Sequence, residues 1–291
     1  MASGDDKVVG VVTRPERPQG RGLKVAACPV VEAAGRDANV LALEDVNSAD
    51  SLARLQLLKP DLVVILAFGQ ILKAPLLRLP PLGCLNVHPS LLPKYRGAAP
   101  IQWAIANGAR VTGVSTIFIN ERMDAGDILL QKEVAIDDAD TGGSLQDKLA
   151  AEGAKLLVES ITLIHGGKVR RRPQDEAGAT YVPMLKKSDG RIDWTMPAVR
   201  IHNRVRAFNP WPGSFCRLPP DGAGGALKVL ATEVEEGKDL VPGSVIEWRG
   251  RGPLVQAGDK AIRLVTVQPE NRKAMNGRAY ICGHPALKSL G

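Results

Sequence analysis

No apolar run in the 291 residues approaches the roughly 20 that a membrane-spanning helix needs, so the chain is expected to be soluble. Met1 to Lys7 lack the apolar core of a signal peptide, and no targeting is expected from them. Cysteine is sparse and scattered: Cys28, Cys84, Cys216 and Cys282 form no Cys-x-x-Cys pair. That spacing suggests neither a zinc site nor a disulfide framework, and the four read as reduced thiols. No internal repeat recurs. The length is too great for one typical domain and comfortable for two, each able to bury a core.

The net charge of +7 is unevenly placed. From Gly166 onward there are 21 Lys and Arg against 12 Asp and Glu, whereas Met1 to His165 carries 17 against 19. The whole basic excess therefore lies in the second part. A basic half beside a near-neutral one suits a catalytic module joined to one that meets a polyanion such as RNA, although solubility alone would also account for it.

Val8 to Val12 is a fully apolar run, β-branched valines around Gly10, the pattern of a buried parallel strand. Thr13 to Lys24 follows with two prolines, two glycines and four basic side chains, and reads as a long exposed loop. Its Arg14, Arg17, Arg21 and Lys24 are either a connector's solvated charges or contacts to phosphates. Pro29 to Arg36 and Ser48 to Leu58 read as helices, the second capped by Asn47 or Ser48; Val40 to Leu43 and Asp61 to Ala67 read as strands. Strands alternating with helices predict an α/β fold with a doubly wound, mostly parallel sheet. Pro100 to Asn107 should be a helix, Thr112 to Ile119 and Leu129 to Ile136 strands, and Ser144 to His165 a long amphipathic helix with Ser144 as its cap. His165, at the helix end, is read as structural or solvated. The charged, Pro-containing stretch 168–190 reads as a linker. Beyond it come a short strand Arg191 to Trp194 and a helix Pro197 to Phe208. That helix should bury Ala198, Ile201, Val205 and Phe208, leaving Arg200 and Arg204 one turn apart outside. Short strands with Gly and Pro turns then predict a small β-barrel. Trp211 and Trp248 could stack on bases, but core packing is the expectation for both. Asn271 to Gly291 is basic and weakly patterned.

The most informative stretch runs from Gly83 to Pro100. Cys84 to Val87 reads as the end of an apolar strand, and Pro89, Pro93 and Gly97 forbid helix or ladder until Pro100 opens a helix. Asn86 and His88 therefore share one side of a strand at the carboxyl edge of the sheet, where open α/β folds bind ligands. An amide donor beside a protonatable imidazole can hold the oxyanion formed when a nucleophile attacks a carbonyl.

Asn-Val-His-Pro-Ser-Leu-Leu-Pro at 86–93, Tyr-Arg-Gly-Ala-Ala-Pro-Ile-Gln at 95–102 and Met-Asp-Ala-Gly-Asp at 123–127 resemble the 10-formyltetrahydrofolate-dependent formyltransferases. Within that superfamily the chain is most similar to the branch that acts on initiator methionyl-tRNA, from the first strand to about Met275. The resemblance implies that Asn86, His88 and Asp124 are catalytic. On residue type alone, Asp124 would be a surface turn residue. It also implies that Phe68, Gly69, Ile71, Ser90, Leu91, Leu92 and Pro93 bind the folate. The loop of Arg14, Arg17, Arg21 and Lys24, together with Arg200, Arg204 and Arg206, would meet the tRNA. No metal is implied. The domains would be a formyltransferase catalytic domain at 1–167, the linker at 168–190 and a tRNA-binding OB-like β-barrel at 191–291.

Family members begin with a further strand and helix, for which Met1 to Lys7 leaves no room. Since the first strand of a doubly wound sheet is central, two unpaired strand edges are expected here. Alternatives that share the chemistry are other formyltransferases or a hydrolase using the same donor; one that does not is a non-catalytic RNA-binding remnant. The expected compartment is a bacterial-type cytoplasm, or a mitochondrion or plastid for an organelle protein that has lost its N-terminus.

Overall fold

The computed structural model describes residues 6–16, 28–35, 37–219 and 225–291, together with the backbone of 18–19 and 24–25. Arg17 and Arg21, and the side chain of Lys24, lie outside the described residues.

Strand β1 (Val11–Thr13) is followed by two short antiparallel strands, β2 (Pro18–Gln19) and β3 (Lys24–Val25), within the stretch expected to be a loop. Helix α1 (Pro29–Ala34) has Pro29 at its first position, and β4 (Val40–Ala42) returns to pair with β1 in parallel. Helix α2 (Ala49–Leu57) starts where the Ser48 side chain accepts from the Ser51 amide, so Ser48 rather than Asn47 is its cap. Then come β5 (Val63–Ile65), α3 (Ala74–Leu77), β6 (Cys84–His88), β7 (Arg96–Gly97), α4 (Pro100–Ala106), β8 (Val111–Phe118) and β9 (Ile128–Ala135).

Helix α5 (Gly142–His165) begins two residues before the expected start. The Ser144 amide donates to Thr141 Oγ1 at 3.1 Å and the Thr141 amide donates to Ser144 Oγ at 3.0 Å, a reciprocal arrangement that makes Thr141 the cap and Ser144 its partner one turn in. After β10 (Tyr181–Val182), which pairs in parallel with β7, the expected strand at 191–194 is a single bridge from Arg191 to Phe215. The backbones approach closely beside that bridge: a Cβ on Gly190 would lie 2.0 Å from the Gly213 carbonyl oxygen. Helix α6 (Ala198–Ala207) buries Ala198, Ile201 and Val205, with Phe208 just past its end, as its periodicity requires. Strands β11 (Ser214–Arg217), β12 (Ala226–Glu235), β13 (Val245–Arg249), β14 (Gly252–Gln256) and β15 (Ala261–Pro269) follow. The weakly patterned C-terminal stretch contains β16 (Met275–Asn276) and a short helix α7 (Gly277–Gly283), capped by Asn276 accepting from the Ala279 amide at 2.8 Å.

Two compact units result, each discontinuous in sequence: 1–94 with 114–132 and 151–179, and 95–113 with 133–150 and 180–291. In the first, the strand order is β5-β6-β8-β9; β5 and β6 are parallel, whereas β6 and β8 are antiparallel. The β1–β4 pair forms a separate sheet, so among the described residues β1 and β5 each keep one edge with no ladder partner. Both sheets share a core: Val12, Leu41 and Ile65 pack against buried Leu43, Leu55, Leu72 and Leu76. The second unit holds an antiparallel sheet in the order β11-β12-β15-β14-β13, with β16 on β15. Its core includes Ile201, Leu227, Val255, Ile262, Leu264 and Tyr280.

In that sheet the nearly buried Arg263 guanidinium lies 2.9 Å from Glu235 and 2.8 Å from Glu247. Its hydrogen bonds hold both carboxyls below the usual range. A carboxyl whose folded value is depressed contributes stability above its unfolded pKa of about 4.3 and loses it as pH falls through the folded value. Thermal melts of the chain should therefore show the midpoint falling between about pH 5 and pH 3, with a smaller fall in Glu235→Gln, which has no charge there to lose.

Candidate active site

Asn86 and His88 stand on β6, Asn86 flanked by Ile65 of β5 and Ile117 of β8, and His88 opposite Ser115 of β8. Their orientation follows from the residue between them. A Cβ on Gly153 of α5 would sit 3.2 Å from Val87 Cγ1, so Val87 faces that helix and, by strand alternation, Asn86 and His88 face away from it.

Asp124 arrives from the turn between β8 and β9. His88 Nδ1 and Asp124 Oδ1 are 3.7 Å apart, with side-chain exposures of 5% and 18%. The turn is tight because residue 126 is glycine: a Cβ there would lie 1.7 Å from the Phe118 carbonyl oxygen. Asp124 itself is left-handed at φ 49°, a conformation that aspartate tolerates better than most residues. The structure thus brings His88 and Asp124 together at the end of β6 and sets Asn86 on the same side of that strand.

The segment after His88 is held by a buried hydroxyl. Ser115 Oγ donates to the Ser90 carbonyl at 2.6 Å and accepts from the Leu92 amide at 3.1 Å and from Gln131 Nε2 at 2.9 Å. Gln131 Nε2 also donates to the Leu92 carbonyl at 2.8 Å, and the Arg172 guanidinium donates to Gln131 Oε1. Ser90 Oγ donates to the Lys94 carbonyl at 2.7 Å. Ser90 and Leu92 are buried, and Leu91 and Pro93 half-buried, so the polar atoms are consumed internally and what remains is a stiff, largely apolar wall. A flat aromatic ring fits such a wall. Phe68 packs into the first unit's core, while Ile71 is 75% exposed. Gln70 ties this stretch down by accepting from the Val46 amide at 3.0 Å and donating to the Glu44 carbonyl at 3.1 Å. A cavity of about 600 Å³ lies elsewhere in the unit, between Leu52, Lys59, Pro75 and Arg78, and none of these site residues lines it.

Ser115, Gln131 and Gln174 were not legible as site residues. Ser115 leaves a faint signal, a small polar residue in the middle of a strand pattern that should be wholly buried. Gln174, inside the stretch read as linker, leaves none. Cys84 lies two residues from Asn86 but is not a nucleophile candidate, since burial pushes its thiol up to about 11.

The basic residues fare unequally. Arg14 donates to the Gly69 carbonyl at 3.2 Å. Arg206 gives hydrogen bonds to the carbonyls of Asp137, Asp138 and Asp140, and Arg204 donates to the Asp189 carbonyl and lies 4.9 Å from the Phe208 ring. Only Arg200 of the three on α6 is exposed. Trp248 packs against the second unit's core as expected, but Trp211 is 57% exposed on the turn after α6, contrary to expectation. That turn is closed by the Gly213 amide on the Phe208 carbonyl at 2.8 Å.

An amide and an imidazole at the carboxyl end of a strand in an α/β sheet, with a carboxylate near the imidazole, have the chemistry to hold the oxyanion that forms when a carbonyl carbon is attacked. The formyl transferase family model matches residues 2–161, and the formyl transferase C-terminal domain model matches 184–285. The chain belongs to the formyl transferase family. Among its relatives, the methionyl-tRNA formyltransferase of Desulfotalea psychrophila is 44% identical over 97% of this chain and 87% of its own length. That of Acetivibrio thermocellus is 43% identical over 96% and 89%. Among solved structures, HypX from Aquifex aeolicus in complex with tetrahydrofolic acid shares the fold at TM-score 0.60 and 20% identity, over 88% of this chain but 44% of its own. The sugar 3N-formyl transferase WlaRD shares it at TM-score 0.60 and 19% identity, over 84% and 82%.

Proposed function

We propose that this chain transfers the formyl group of 10-formyltetrahydrofolate to the α-amino group of methionine esterified to initiator tRNA, in a bacterial-type cytoplasm. The observation that carries the reading is the approach of His88 to Asp124 at the end of β6 in a chain of this family. Identity above 40% with methionyl-tRNA formyltransferases over nearly the whole chain favours an aminoacyl-tRNA acceptor over a sugar nucleotide.

The amine nitrogen attacks the formyl carbon, forming a C–N bond and moving the carbonyl electron pair onto oxygen. Asn86 donates its amide N–H to that oxygen, and His88 stabilises the developing charge with an imidazole N–H. At 3.7 Å the His88–Asp124 pair is longer than a hydrogen bond, and one water or a small rotation closes it. Asp124 then orients the imidazole and takes the amine proton, directly or through that water. The intermediate collapses as the bond from carbon to N10 breaks and the folate nitrogen accepts a proton, leaving formyl-methionine on the tRNA. The rigid Ser90–Pro93 wall would hold the pterin while this occurs.

The direct test mixes the purified chain with 10-formyltetrahydrofolate and methionyl-initiator tRNA and looks for formyl-methionine. Formation only of free formate, or formylation only of an amino-sugar nucleotide, overturns the reading. Binding of the aminoacyl-tRNA should also fall steeply with salt, because each phosphate neutralised contributes about 0.9 to the log–log slope on duplex. Arg200→Ala is expected to flatten that slope by about one while leaving kcat at saturating tRNA unchanged.

A further inference from the structure

The geometry points to Gln174 as a positioning residue for Asp124. Its side-chain nitrogen donates to the carbonyl oxygens of Asp124 at 2.7 Å and Gly126 at 2.8 Å. Asn120 Nδ2 donates to the intervening Ala125 carbonyl at 3.3 Å. Three successive carbonyls of the turn are thereby held by side-chain amides, and Gln174 supplies both of its N–H groups to two of them. A primary amide is suited to this task, since it offers two neutral donors from one atom. The left-handed backbone at Asp124 is a conformation that surrounding contacts must hold in place, and these bonds do so on the residue whose carboxylate faces His88.

The rest of the segment reinforces the grip. Arg172 exchanges both backbone hydrogen bonds with Ile128, at 2.8 and 2.9 Å, and Glu176 lies 3.4 Å from Arg122. The stretch from Arg172 to Glu176 therefore straps the Asp124 turn from outside, while the Arg172 guanidinium reaches Gln131 and through it the Ser90–Pro93 wall. Gln174 touches no reacting atom. Its effect passes through the backbone of Asp124, and misplacing a catalytic group by about 1 Å can cost about a hundredfold in rate.

This inference rests on the formyl-transfer reading, so the test begins with the parent chain: if it forms no formyl-methionine, that reading fails first. With an active parent, Gln174→Ala is expected to lower kcat about tenfold or more, with KM for the formyl donor and for the tRNA changed less than about threefold. Gln174→Glu should lose more, because a carboxylate would face two carbonyl oxygens. In an Asp124→Asn background the alanine substitution should cost almost nothing, since the group it positions is already disabled. Should Gln174→Ala not fold, Gln174→Met keeps the volume, removes both donors and carries the same expectations. Unchanged kcat, additive effects in the double variant, or a loss wholly explained by a lower unfolding midpoint would overturn the assignment.

Discussion

His88→Ala is expected to lower turnover about a hundredfold or more with the fold intact, the cost typical of losing one donor to an oxyanion. At about 1.4 kcal/mol per tenfold, this asks the imidazole for roughly 2.7 kcal/mol of transition-state stabilisation, within the ordinary worth of such a donor in a site shielded from water. His88 is 4% exposed, so its N–H acts where solvent competes little. The loss should fall on kcat, because the formyl oxygen carries the extra charge only in the transition state. Asn86→Ala should be similarly impaired, and so should Asp124→Asn, since an amide keeps the side chain's shape but cannot take the amine proton. Steady-state kinetics with formyl-methionine as the readout decides it. A His88→Ala chain that folds and turns over like its parent would remove the site assignment altogether.

The second large effect is expected at a residue with no side chain. Gly126→Ala would place a methyl group where the Phe118 carbonyl now stands, 1.7 Å from its oxygen, and no rotamer can relieve a clash with backbone. Something must move. Phe118 is paired with Leu85 in the ladder between β8 and β6, so displacement of the β8 end pulls on the strand that carries Asn86 and His88. The turn on the other side carries Asp124, and Gly126 also offers its carbonyl to Gln174. Overpacking costs about 1–3 kcal/mol in cores that can repack and more where they cannot. The variant should unfold at lower denaturant and, where folded, lose at least tenfold in kcat. Denaturant melts and turnover on the same preparation test both halves, and a chain as stable and active as the parent would contradict this account of the turn.

Local chemistry made much of the first unit readable. Ser48 caps α2 because a hydroxyl before an apolar run satisfies the Ser51 amide, and Pro100 opens α4 because its fixed φ suits a first turn. Asn86 and His88 were legible as a pair because strand alternation acts over two residues. Where the outcome differed, a competing local cap or a neighbour distant in sequence decided it. Ser144 looked like a cap, yet Thr141 holds that position. The strand expected at 191–194 is one parallel bridge from Arg191 to Phe215, a partner the local pattern does not name. Arg204 was expected on the outer face of its helix and Arg206 among the tRNA contacts, and carbonyls from elsewhere in their unit engage both.

What the order of residues determined unaided is most of the longer strands and helices, the amide and imidazole on one side of β6, and the lopsided charge, all of which depend on intervals of a few residues or on composition. Tertiary structure alone decided that Asp124 meets His88, that Ser115 stiffens the wall beside them, and that Gln174 grips the turn from a stretch that reads as a linker. The reason is that these contacts join hydrogen-bonding groups far apart along the chain. Every backbone carbonyl is the same acceptor in the sequence, and only folding determines which of them a given side chain can reach.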